Sequence, residues 1–154
     1  MSAIDIRPDD LRGPEIAALL ARHLDHMVAV TPAGSVYALN LDALRVPAIT
    51  FWSAWIDGEL VGCIALKDLG DGHGEIKSAH TVEEMRGKGV GRALVAHLID
   101  QARARGITRL SLETGKTEHF RAAQKLYRRF GFVECGPFGD YGPDPHSFFM
   151  TRVI

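Results

Sequence analysis

Cysteine is scarce in this chain. Cys63 and Cys135 are the two among 154 residues, too few for a disulfide framework and without metal-ligand spacing. No apolar run approaches the ~20 residues of a membrane span, and no signal-peptide pattern opens the chain. An excess of one charge is missing too. With 18 basic and 19 acidic residues the formal net charge is −1, so no global basic field recruits nucleic acid. Low-complexity stretches, internal repeats and linker-like segments are also absent, which leaves no place for a domain boundary. The expectation is one domain over residues 1–154, cytoplasmic, with no nucleic acid, membrane or metal among its partners.

What remains is the balance of an ordinary globular domain, 46% hydrophobic and 24% charged. A chain of this length buries about 70% of its unfolded surface. Its most informative stretch is Arg86-Gly87-Lys88-Gly89-Val90-Gly91-Arg92, between a strand-like segment and an amphipathic helix. Alternating glycines at a helix start free consecutive backbone N–H groups where the helix dipole favours negative charge. Lys88 and Arg92 add positive charge there, so the segment suits a phosphate or diphosphate. It is not a Walker loop, because Gly89 follows Lys88 where a Ser or Thr would hold Mg²⁺. It is not a dinucleotide fingerprint either: the glycines read G-x-G-x-G and come after half the chain.

Periodicity orders the rest. Residues 3–7 alternate as a short strand, and Pro8-Asp9-Asp10 predicts a helix start, with Ile16, Leu19, Leu20, Leu24 and Met27 on one face. A short helix is expected around Leu39 to Leu44. Strands follow at 49–56, 59–69 and 75–82, joined by turns at Asp57-Gly58 and Asp71–Gly74. The helix opened by the glycines buries Val90, Leu94, Val95, Leu98, Ile99 and Ala102 and ends at Gly106. Residues 108–113 form a strand that the crossover rule makes parallel to 75–82. A helix over 119–130 and strands at 132–135 and 147–153 complete the order β-α-α-β-β-β-α-β-α-β-β. The fold class is α/β, with a mixed, mostly antiparallel sheet flanked by helices.

Arg86-x-x-Gly89-x-Gly91 resembles the acetyl-coenzyme A signature of the GNAT N-acetyltransferase superfamily. Ala123-x-x-Leu126-Tyr127-x-x-x-Gly131-Phe132 resembles that family's downstream segment, and the element order is similar to the GNAT layout throughout. The resemblance implies an acetyl-CoA-dependent N-acetyltransferase. Its expected acceptor is the primary amine of a small molecule, reached by direct transfer in a ternary complex. By the same resemblance the backbone of His80, Thr81 and Val82 meets the pantetheine arm, and residues Arg86, Gly87, Lys88, Gly89, Val90, Gly91 and Arg92 hold the diphosphate. Lys125 or Arg121 reaches the 3′-phosphate. The family commonly has an Asn after the 108–113 strand. Here Glu113-Thr114-Gly115 has none, and Thr114 stands in its place.

For chemistry, the resemblance puts the Tyr127 hydroxyl at the sulfur of the cosubstrate, where a phenol can protonate a departing thiolate. An alkyl ammonium cannot attack a thioester until it loses a proton. Glu75 is the first choice of base and Glu113 the second; Glu75 alternatively pairs with Lys77. His23 and His26 lie one turn apart without a third ligand, so no metal is expected. Neither cysteine has an activating neighbour for a covalent route. The acceptor is expected between residues 26–40 and 136–146, where Asp140 and Asp144 either attract a cation or shape turns. The other reading of this fold is a non-catalytic acyl-CoA sensor or interaction module, for which Tyr127 has no role. The oligomeric state stays open, with a homodimer as one option.

Overall fold

A computed structural model describes residues 3–35 and 41–154. Seven strands form one sheet in the order β1-β2-β3-β4-β5-β7-β6. They are β1 (Asp5–Pro8), β2 (Ile49–Ile56), β3 (Glu59–Gly70), β4 (His73–Thr81), β5 (Arg109–Gly115), β6 (Val133–Cys135) and β7 (Ser147–Val153). All neighbours pair antiparallel except β4 and β5, which run parallel as the crossover rule requires.

Among the described residues four α-helices flank the sheet: α1 (Pro14–Val30), α2 (Leu41–Leu44), α3 (Val90–Ala104) and α4 (Arg121–Arg129). The expected helix around Leu39 to Leu44 is thus present as Leu41–Leu44, and residues 39–40 lie outside the described chain. One core lies under α3 and α4, where Leu94, Leu98, Tyr127 and Phe132 pack on Ile64, Leu66, Ile76, Leu110 and Leu112. The other lies under α1 and α2, where Ile16, Leu19, Leu20 and Leu44 pack on Phe51, Cys63 and Ala65. Glycine is required at position 62 by close approach. A Cβ there would sit 2.9 Å from both Val90 Cγ1 and the His80 carbonyl, forcing α3 off the sheet.

Both predicted hairpin turns form. Asp57 and Gly58 have φ of 50° and 79°, and Asp71 and Gly72 have φ of 56° and 75°, as two-residue turns of primed type demand. The start of α1 differs from expectation. Asp9 and Asp10 accept the backbone N–H groups of Leu11 and Arg12 in local turns, and the helix begins at Pro14. Aspartate competes for nearby amides, whereas proline is pre-set for a first helical position.

Candidate active site

Two irregularities in β4 create the site. Its pairing with β5 runs from His73↔Arg109 to Ile76↔Leu112 and stops, although β4 continues to Thr81 and β5 to Gly115. The strands therefore part and open a wedge. On its other side β4 carries a bulge: Cys63 faces His80, but Ala65 faces Lys77. Ser78 occupies the extra position with φ of 52°, an uncommon conformation for a residue with a Cβ. The extra residue shifts the alternation, so Lys77 and His80, three apart, share the sheet face that carries α1.

The wedge opens into a cleft of about 760 Å³. One wall is the start of α3. Gly89 caps that helix with φ of 89° and no side-chain cap, leaving the amides of its first turn without an intrahelical partner. At Gly87 and Gly89 a Cβ would meet nothing within 4 Å, so the backbone there is reachable from outside. Such a bare helix start fits a diphosphate. Arg86, Gly87, Gly89, Val90, Gly91 and Arg92 line the cleft, as do His80, Thr81 and Thr114. Lys88, Val82 and Lys125 are not among its lining residues. The Val82 N–H is donated to the Val61 carbonyl at 2.9 Å, and Arg121 lies near Glu118 at 3.7 Å.

Tyr127 reaches the same cleft from α4. Its ring packs edge-on against Phe132 with centroids 5.5 Å apart. Burial pushes its phenol well above the ordinary value, so it is a protonated donor at neutral pH. Burial likewise raises the Cys63 thiol, which donates to the Ser78 carbonyl at 3.3 Å. Cys135 is also raised by burial, so neither cysteine is an activated nucleophile.

The half of the cleft where the sequence predicts the acceptor lies on the α1 face. Glu75 is buried at 3% exposure, and its Oε2 receives hydrogen bonds from Tyr141 Oη at 2.6 Å and Lys77 Nζ at 3.2 Å. Lys77 also donates to Tyr141 Oη at 3.1 Å. Period-two spacing puts Glu75 and Lys77 side by side. Tyr141, 66 residues distant, carried no sequence signal of this bond. It comes from the β6–β7 loop and rests on Phe149 and Phe138. That loop meets the short turn after α1 (Ala33–Ser35) through Ser35 Oγ, which donates to Asp144 Oδ1 at 2.9 Å. Of the expected acceptor segments, residues 36–40 lie outside the described chain.

Glu113 lines this half as well. Burial raises its carboxyl, opposed by Ser147 and the Lys77 ammonium, with the Glu75 and Asp144 carboxylates pushing further upward. At the bulge, His80 Nδ1 lies 3.1 Å from His23 Nδ1 of α1. Burial, with His23 and Arg86 nearby, pulls His80 down to about 3. Burial, with His26 and Arg86, pulls His23 down to about 4. Both rings are neutral at physiological pH. Sequence spacing drew attention to His23 and His26, but the ring that meets His23 is His80, supplied by the bulge. Among the described residues no group of three or more His, Cys, Asp or Glu is arranged to hold a metal ion.

A bare helix start and a buried phenol thus line one cleft at the sheet split. A model of the acetyltransferase (GNAT) family matches residues 16–132. The chain belongs to the GNAT family. This acetyltransferase is 50% identical over 149 residues to the uncharacterized N-acetyltransferase YsnE of Bacillus subtilis (strain 168), covering 97% of this chain and 99% of that protein. It is 44% identical over 124 residues to an IAA acetyltransferase of Azospirillum brasilense, covering 80% of each. Among solved structures, an acyl-CoA N-acyltransferase fold from Klebsiella pneumoniae superimposes with a TM-score of 0.80 at 31% identity, over 97% of both chains. The acetyltransferase is thus an acetyl-CoA-dependent enzyme of this family. None of its described helices is long and apolar enough to cross a membrane.

Proposed function

We propose that this acetyltransferase moves the acetyl group of acetyl-CoA directly to the primary amine of a small molecule, with both substrates held in the cleft at once. One observation carries the reading: the bare amides of α3, the Tyr127 phenol and the carboxylates of the α1 face all line one continuous cleft. The thioester supplies the activated acyl group. The first turn of α3 and Arg92 hold the diphosphate, and the unpaired edge of β4 beyond Ile76 meets the pantetheine arm. An amide at His80 or Thr81 faces the developing oxyanion. Tyr127 protonates the sulfur as it leaves.

The acceptor half favours a cation. Glu75, Glu113 and Asp144 outnumber the single ammonium of Lys77, and the two paired histidines are uncharged. Glu75 is already bound by Lys77 and Tyr141. Among the described residues Glu113 makes no such ion pair, so its carboxylate is the one open to hold the incoming ammonium. A cytoplasmic location and a single domain belong to the same reading.

The test is incubation of the purified protein with acetyl-CoA and a library of small amines, following free thiol and the mass of each product. IAA is tested beside that library because a relative carries it in its name. Thiol release that depends on particular amines, with a product 42 Da heavier (an acetyl group replacing a proton, about 42 Da, one covalent transfer), supports the reading. Coenzyme binding without any acetylated product would instead mark a sensor of the same fold.

A further inference from the structure

An ammonium that becomes an amide gives up two protons. One matches the proton gained by the leaving sulfur through Tyr127, and the other has to reach bulk water. We propose that the His23–His80 pair is the outlet for that proton, a two-ring relay from the reaction centre to solvent. This rests on the acetyl-transfer reading above and adds a catalytic site to it.

The bond between the rings dictates how such a relay works. Two Nδ1 atoms 3.1 Å apart are hydrogen-bonded, so one carries the proton and the other a lone pair. For two neutral imidazoles this fixes the far nitrogens as well. The ring donating at Nδ1 has a bare Nε2, and the ring accepting at Nδ1 has an Nε2–H. The pair is therefore directional, with an acceptor at one end and a donor at the other. The ring planes are inclined at 47° with centroids 4.6 Å apart, so the two rings form a bent chain rather than a stack.

Placement assigns the ends. His80 stands on β4 beside the bulge, where the strands part, and His23 stands on α1 one turn before the exposed His26. The inlet is the Nε2 of His80. The ammonium N–H bond breaks with its electron pair staying on nitrogen, and that pair then attacks the thioester. As His80 Nε2 gains the proton, its Nδ1–H passes to Nδ1 of His23, whose Nε2–H is released to water. One proton enters, one leaves, and neither ring keeps a charge. Water in the emptied cleft restores the tautomers after product release.

The charged and titratable groups facing the pair are Arg22 and His26 on α1 and Arg86 before α3. All three act against a standing positive charge on the rings. A pair that stays neutral suits passage of a proton rather than its storage.

The experiment uses the amine that the library identifies and three variants of the full-length protein. His23→Asn places an amide at the Nδ1 position, keeping a hydrogen bond to His80 while removing the path through the ring. His23→Ala leaves a cavity that free imidazole can fill. His23→Phe keeps the ring volume without any nitrogen. The expected result is a kcat lowered at least 10-fold in all three, with the acetyl-CoA KM and coenzyme affinity unchanged. Millimolar imidazole should restore rate in His23→Ala alone. In ¹⁵N spectra of histidine-labelled wild type, one ring of the pair should carry its proton on Nδ1 and the other on Nε2. Wild-type kcat in His23→Asn, absence of imidazole rescue, or two Nε2–H tautomers in the spectra would each overturn the relay while the acetyltransferase reading stands. If wild type acetylates no amine, that underlying reading falls first and the relay with it.

Discussion

The phenol of Tyr141 donates a 2.6 Å hydrogen bond to Glu75 Oε2, the same oxygen that Lys77 approaches at 3.2 Å. The bond ties the β6–β7 loop to a carboxylate buried on β4. Hydrogen bonds to charged groups contribute about 1.5–3 kcal/mol. Tyr141→Phe should therefore lower kcat/KM for the amine about 10-fold or more, leaving the acetyl-CoA KM at its wild-type value. Equal losses toward both substrates in steady-state kinetics would count against this division of the cleft.

Tyr127→Phe removes the proposed proton donor while keeping the ring against Phe132. General acid groups contribute about 100-fold or more to rate, so kcat should fall by about that factor with coenzyme affinity retained. Because burial raises the phenol, the loss should be the same at every pH between about 6 and about 9. Unchanged turnover across that range removes Tyr127 from the chemistry.

Glu113 links stability and activity. Its carboxyl is raised in the folded protein, so the stabilisation it gives is present at low pH and is lost as pH rises through the raised value. Glu113→Gln is uncharged throughout. Its Tm should climb relative to wild type between about pH 4 and about pH 8, while amine turnover falls at least about 10-fold. Thermal melts across that range, paired with rates, check both halves.

The histidine pair predicts acid sensitivity of opposite sign. Both imidazoles are lowered by folding, so their stabilisation is complete above the ordinary value near ~6.5. It is lost as pH falls toward about 4 for His23 and about 3 for His80. His23→Phe should lose less Tm than wild type on acidification over that window. A steeper loss in the variant would show that the pair is not what titrates.

Gly115→Ala probes the floor of the cleft. A Cβ at Gly115 would overlap the ring of Phe120, which lies in the lining. Overpacking of this kind costs about 1–3 kcal/mol. A lowered Tm together with weaker coenzyme binding is expected, and a wild-type melt would mean that Phe120 swings aside freely.

Much of this molecule was legible in its residues because the signals are local. Alternation, helical spacing and the Asp-Gly turns depend on neighbours a few positions apart, and they placed the strands and the long helices. The glycines before α3 announced a bare helix start for the same reason, since positive φ and free amides are properties of a short segment. Errors fell where two local signals competed, as at Asp9-Asp10 and Pro14.

The amino-acid order by itself therefore determined the element sequence, the glycine turn that opens α3 and the place of Tyr127 on α4. Only the tertiary structure decided which carboxylate is held and which is left open, because Tyr141 meets Glu75 across 66 positions. It alone decided that His80 meets His23, since one extra residue at Ser78 reverses the alternation of a strand and turns that ring toward α1. Side-chain direction in a sheet is set by cumulative pairing with distant strands, and no short stretch of residues encodes it.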